Sequence, residues 1–179
     1  MLSAPSGTGK TTLCSKLLKA VPGLVRSVSV TTRRPRRGER KGKDYLFIPA
    51  EVFRRLRRAG GLLEWTNYSR FFYGTPLDSL KRFLAEGKKV VLLLDVRGAR
   101  AVKQRFRTRT TTIFLLPPTL GDLKKRLARR STEENAEIQR RLRLAKHEIT
   151  QARWYDHVVV NDDIRQALRA LQQIIRRKG

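Results

Sequence analysis

Eight residues near the start of the chain, Ala4-Pro5-Ser6-Gly7-Thr8-Gly9-Lys10-Thr11, constrain the fold more than any other feature. Gly7 and Gly9 let the backbone turn tightly and approach a ligand closely. A helix starting near Lys10 adds the positive end of its dipole to N–H groups that already point inward. The whole is a cradle for phosphate, in which Lys10 can bridge β- and γ-phosphates and Thr11 can ligate Mg²⁺. Gly9, Lys10 and Thr11 match the phosphate-binding-loop (P-loop) pattern, with Ala4 where that pattern has its first glycine. Such a loop follows a core strand, and only Met1 to Ser3 precede it. Either the true start lies upstream or the central strand is truncated, and in a complete chain the second case would lower stability.

Downstream, segments suited to helices and strands alternate, which predicts an α/β fold with a mainly parallel sheet. Helices are expected over 10–20 (Leu13, Leu17 and Leu18 on one face), 50–59, 76–86, 97–106 and about 134–153. Strands are expected over 26–32, Tyr45 to Ile48, Val90 to Leu94, 110–116 and Val158 to Val160, with short strands across 61–73. Val90 to Leu94 reads as buried on both faces. Thr119 follows Pro117-Pro118 as a helix cap, and Ser131 with Glu134 has capping-box spacing. Asn161-Asp162-Asp163 caps a last helix whose stripe is Ile164, Leu168, Leu171 and Ile175.

Beyond the loop, further motifs follow in order. They are Ser29-Val30-Thr31-Thr32-Arg33-Arg34-Pro35-Arg36-Arg37-Gly38-Glu39, Gly42-Lys43-Asp44-Tyr45, Leu63-Glu64-Trp65 and Tyr73-Gly74-Thr75. Asp95-Val96-Arg97-Gly98, Pro117-Pro118, the Arg126 to Arg141 region and Asn161-Asp162-Asp163 complete the set. Together they resemble the guanylate kinase family over nearly the whole chain. The resemblance implies a P-loop NTPase-type three-layer parallel sheet core (about 1–28, 79–120 and 147–179). It also implies a small mixed-sheet GMP-binding insertion (about 29–78) and a helical lid (about 121–146). The implied reaction is ATP + GMP = ADP + GDP with Mg²⁺, in cytoplasmic purine nucleotide metabolism.

The residues make chemical sense in those roles. A monophosphate wants forked, permanently charged donors, which Arg33 and Arg36 on either side of stiff Pro35 can supply. By resemblance, Tyr45 and Tyr73 join them on the GMP phosphate. Guanine presents two adjacent donors, N1–H and the 2-amino group, and one carboxylate can accept both. Adenine would leave that carboxylate unpaired, which disfavours it strongly. Glu64 matches the family's base-reading residue, Thr75 could donate to O6, and Ser29 matches another base-side contact. Asp95 ends an apolar strand where ligands of open parallel sheets gather, and can serve metal-bound water, the guanine side, or only as a strand-ending cap. Many members have a second acid two residues earlier, where this chain has Leu93.

The resemblance also carries Ala4 to Thr12 and Asn161 to the ATP side, with Pro5, Ser6 and Thr8 inside the loop. Lys10, Arg33, Arg126, Arg130 and Arg141 become the cations that neutralise the transferring phosphoryl group. His147 and His157 lack metal-ligand or triad spacing and are read as structural.

The 179 residues suggest about one domain, and 40% hydrophobic content argues against disorder. No apolar run reaches membrane-spanning length, no leader fits ahead of Ala4, and Cys14 is the only cysteine. These features fit a cytoplasmic protein. Lys plus Arg number 41 against 15 acids, net +26, spread along the chain rather than gathered in a tail. That charge draws anions and could give non-specific RNA binding without an obligatory nucleic-acid partner. Two rival functions follow from the same motifs. A guanylate-kinase-like protein-interaction module without catalysis typically lacks a working P-loop, whereas Gly9-Lys10-Thr11 is intact. A related P-loop kinase acting on a sugar phosphate would not need the pair Glu64 and Thr75.

Overall fold

The computed structural model describes residues 1–36, 38–68, 70–128 and 135–177. Its elements in chain order are β1 (Leu2–Ser3), α1 (Lys10–Ala20), β2 (Leu24–Arg26), β3 (Val30–Thr31), β4 (Leu46–Phe47), α2 (Ala50–Arg58), β5 (Leu62–Tyr68) and β6 (Phe71–Pro76). There follow α3 (Leu77–Ala85), β7 (Lys89–Val91), α4 (Val96–Phe106), β8 (Ile113–Leu116), α5 (Leu120–Ala128), α6 (Asn135–Thr150), β9 (His157–Val160) and α7 (Ile164–Arg177).

The core sheet is parallel. β1 pairs with β8 and β8 with β9, while β2 pairs with β7. Leu2 joins the two parts, bridging Leu93: its N–H donates to the Leu92 carbonyl at 2.9 Å, and its carbonyl accepts from the Leu94 N–H at 3.2 Å. Strand residues alternate between two cores, as strand geometry requires. Ile113 and Leu115 join Leu13, Leu17, Ala167 and Leu171 under α1 and α7. Phe114 joins Leu80, Ala99, Val102 and Tyr155 under α3 and α4. Helices therefore cover both faces, which is why β8, paired on both of its edges, is apolar throughout.

A second sheet has the order β4-β3-β6-β5, parallel between β3 and β4 and antiparallel elsewhere. It has its own small core of Val30, Phe53 and Leu62, with Phe53 of α2 stacked on Phe72 at 5.2 Å. A further cluster, Leu123, Leu127, Ile138 and Ala145, joins α5 to α6.

Four expectations need correction. The segment 26–32 is two strands in different sheets, because Ser27 N–H still pairs with Val91 while the Ser29 carbonyl accepts from Leu46. β7 ends at Val91, since beyond it the backbone of residues 92–94 turns its hydrogen bonds to Leu2. The helix expected to reach 153 ends at Thr150 and tightens into a 3-10 turn, Gln151–Trp154. The aromatic stretch 61–73 is one long hairpin, turned at Arg70 with φ of 72°. Thr119 caps α5 as expected, accepting from Asp122 N–H at 3.0 Å, and Asp163 caps α7 through Arg165 and Gln166. The Ser131–Glu134 capping box lies outside the described residues.

Candidate functional site

A cleft of about 260 Å³ opens where the loop before α1, the carboxyl end of the core sheet and the inner face of the second sheet meet. Its position follows from topology, because loops at the carboxyl ends of parallel strands are free of the sheet and face one another.

The loop between β1 and α1 has the left-handed glycines its sequence implied, Gly7 at φ 89° and Gly9 at φ 95°. A side chain at Gly9 would meet the Asn161 amide nitrogen at 2.7 Å. That amide donates to the Thr8 carbonyl at 2.6 Å, so Asn161, itself buried, braces the loop from behind. Ala4, Pro5, Ser6, Gly7, Gly9, Lys10 and Thr11 line the cleft, whereas Thr8 is wholly buried and Thr12 points to solvent. Lys10 donates to the Leu94 carbonyl at 3.2 Å across the cleft floor. Desolvation lowers its pKa, opposed by the nearby carboxylates of Glu148 and Asp95.

At the other end stand the arginines and tyrosines. Arg33 is fixed on all sides: two bonds to Glu39 at 2.9 and 3.0 Å, one to the Tyr73 hydroxyl at 3.2 Å and one to the Arg34 carbonyl at 2.7 Å. Burial works against its charge, but Glu39 and Tyr73 outweigh that and raise its pKa. Its guanidinium also lies over the Tyr45 ring, 5.6 Å from the centroid. Arg36 borders the same space, and its backbone N–H is held by Glu39 at 2.7 Å. Tyr45 and Tyr73 meet edge to face at 5.8 Å.

Glu64 lies on β5 between the two ends. Its Oε1 accepts from the buried Thr75 hydroxyl at 2.7 Å, an antiparallel neighbour on β6. Its Oε2 lies over Gly98, where a methyl group would approach it to 2.6 Å. Burial raises the Glu64 pKa to about 7, Thr75 pulling it back and Asp95 pushing it further. Asp95 caps α4, its Oδ1 accepting from Gly98 N–H at 2.7 Å, so the capping role and a place in the cleft are both realised. Ser29 borders the cleft as well.

Of the remaining expected residues, Arg126 donates to the Asn161 carbonyl at 3.2 Å, behind the loop. Arg141 on α6 pairs with Glu137 at 3.1 Å. Thr75, Asn161, Arg126 and Arg141 do not themselves line the cleft, and Arg130 lies outside the described residues. Nothing in the sequence points to Arg26, Tyr68 or Glu148, which do line it. Arg26 donates to the Asp44 carbonyl at 2.7 Å and so ties β2 to the loop before β4. Glu39 was visible inside its motif but not as the partner of Arg33, which only the folded loop reveals.

A hard cation fits these residues. Thr11 and Asp95 offer oxygen, and the Glu148 Oε2 is buried with no hydrogen-bond partner among the described residues. No group of three or more His, Cys, Asp or Glu among the described residues could hold a metal alone. A cation here would need further ligands from a bound phosphate, as magnesium commonly takes.

The sequence pattern of the guanylate kinase family matches residues 1–178. A guanylate kinase of Wolbachia pipientis wMel is 42% identical over 178 residues, covering 99% of this chain and 89% of that protein. One from Rubrobacter xylanophilus is 42% identical over 177 residues, covering 99% and 92%. Among solved structures, guanylate kinase from Anaplasma phagocytophilum superposes with a TM-score of 0.84 at 35% identity, over 99% of this chain and 83% of that one. Shikimate kinase from Bacteroides thetaiotaomicron, at 13% identity and a TM-score of 0.51, shares the fold alone. A glycine-turned loop at one end of a cleft and two arginines at the other accord with the full-length likeness to these kinases: the chain belongs to the guanylate kinase family.

Proposed function

We propose that the cleft takes ATP at the loop and GMP against the second sheet, and moves the γ-phosphoryl group between them. A GMP phosphate oxygen attacks the γ-phosphorus, and the bond from that phosphorus to the β-phosphate oxygen breaks. The products are GDP and ADP. No nucleophilic side chain is needed, so the protein's work is alignment and charge neutralisation.

Lys10 and the loop N–H groups hold the donor phosphates, within the run Ala4 to Thr12. Arg33 and Arg36, with Tyr45 and Tyr73, hold the acceptor phosphate. The fixed geometry of Arg33 supports this, since a preorganised cation loses little on binding. Arg126, Arg130 and Arg141 belong to the 121–146 region, which we read as a lid adding charge over the donor; Asn161 supports the loop on that side. Members of the family work with a divalent metal and ATP. Here we take it as Mg²⁺, which supplies further neutralisation of phosphate charge when bound, with Thr11 and Asp95 to hold it, Asp95 through water. The setting we infer is cytoplasmic purine nucleotide metabolism. Among the described residues no helix is long and apolar enough to cross a membrane.

One observation carries the choice of GMP. The Glu64 carboxylate is buried in the cleft wall, braced on Oε1 by Thr75. It can accept two parallel donors only when ionised, and guanine brings two. Thr75 has a single hydroxyl proton and gives it to Glu64, so it orients the carboxylate first and reaches the base O6 only by rotating. ADP release measured with GMP, AMP, UMP and ribose phosphates as acceptors tests the reading. GMP alone should turn over well, and Glu64→Gln should cut kcat/KM for GMP by about 10²-fold or more. Equal use of AMP, or a Gln variant as active as the parent, would overturn it.

A further inference from the structure

The cleft is bordered by Glu39, Asp44, Glu64, Asp95 and Glu148. Four of these carboxylates have partners in the fold. Glu39 grips Arg33, Asp44 accepts from the Arg40 N–H, Glu64 accepts from Thr75, and Asp95 caps α4. Glu148 differs. It is only 8% exposed, and its Oε2 has no hydrogen-bond partner among the described residues. A buried carboxylate oxygen without a donor is costly, so a donor that arrives with the substrate is expected.

The surroundings say which kind. Lys10 on α1, Asp95 at the end of the core sheet, Tyr68 on β5 and Tyr155 after α6 are the groups that feel the Glu148 charge. Lys10 donates a hydrogen bond to the Leu94 carbonyl, and on the ATP-side reading its charge serves phosphate. A bare phosphate would be repelled by two carboxylates. A hydrated divalent cation would not, because its waters donate outward to acceptors on either side. Beyond the end of β7, Leu93 borders the same cleft two residues before Asp95, and its side chain offers no acceptor. Helix α6 reaches across and presents one.

We propose that Glu148 is the second carboxylate of the donor-side cation site, accepting hydrogen bonds from the cation's water shell opposite Asp95, where Leu93 offers none. It is a positioning residue, and the assignment rests on the ATP-side reading above. It also ties α6 to the cation, since Glu148 stands two helical turns beyond Arg141.

The test is calorimetric titration of the full chain with a non-hydrolysable ATP analogue, once with MgCl₂ and once with EDTA. Glu148→Gln should lose about tenfold of the affinity gained from magnesium. Its affinity in EDTA, and for GMP, should match the parent. Adding Leu93→Glu to that variant should restore much of the magnesium effect, which a merely structural role could not do. Equal losses with and without magnesium, or no loss at all, would overturn the proposal. A parent chain that binds no analogue in either condition would instead defeat the ATP-side reading. Should the Gln variant not fold, Glu148→Asp, which keeps the charge but shortens its reach, is read by the same comparison.

Discussion

The Glu64 carboxyl sets the terms at the scale of single residues. Its pKa is raised to about 7 by burial, so near neutral pH the empty site holds a mixture of acid and carboxylate. Only the carboxylate accepts both guanine donors, so GMP binding should strengthen as pH rises through 7 and level off above it. Binding should release protons, which calorimetry in buffers of different ionisation enthalpy would detect, and Glu64→Gln should abolish that component. The same group acts oppositely on the empty fold. A carboxyl whose pKa rises from 4.5 to about 7 on folding costs stability as pH climbs between those values. Wild type should therefore lose melting temperature relative to Glu64→Gln across that window and run parallel to it above.

At the scale of elements, the second sheet depends on a core of its own. Phe53 is 1% exposed and is the anchor that α2 inserts beneath β5 and β6. Phe53→Ala should cost about 3–5 kcal/mol. The loss should fall first on amide protection in β3 to β6, and on GMP affinity, while the ATP analogue still binds. Helices were the readable elements: Leu13 and Leu17, or Leu168 and Leu171, recur at helical spacing and pack as that spacing implies. Strand ends were not, because two residues such as Val30–Thr31 carry no period, and their partners lie far along the chain. The site divides the same way. Arg33, Glu64 and the glycine loop stood out because they sit in dense local motifs. Glu148 is one of two acids in a basic helix, and nothing in its neighbours says that it lies near Lys10. Asn161 was legible as a residue of note, but its bond to the Thr8 carbonyl spans 153 positions and belongs only to the fold.

At the scale of the whole molecule, a net charge of +26 surrounds a cleft that receives two anions. Such a field speeds the approach of nucleotides and is screened by salt over about 10 Å at 0.1 M. Association rates for GMP and the ATP analogue should fall several-fold between 0.05 and 0.5 M salt in stopped-flow measurements, with smaller changes in dissociation. Retention on RNA should fade over the same range. Among the described residues, the parallel sheet is continuous only through Leu2–Ser3, which joins residues 92–94, just beyond β7, on one side to β8 on the other. Mechanically that is a seam, and the chain leaves it straight into the phosphate loop. On the proposed ATP-side reading a bound triphosphate would act as a rivet beside it, making nucleotide occupancy and the cohesion of the two half-sheets one property, and the protein should resist pulling forces and proteases best while it is at work.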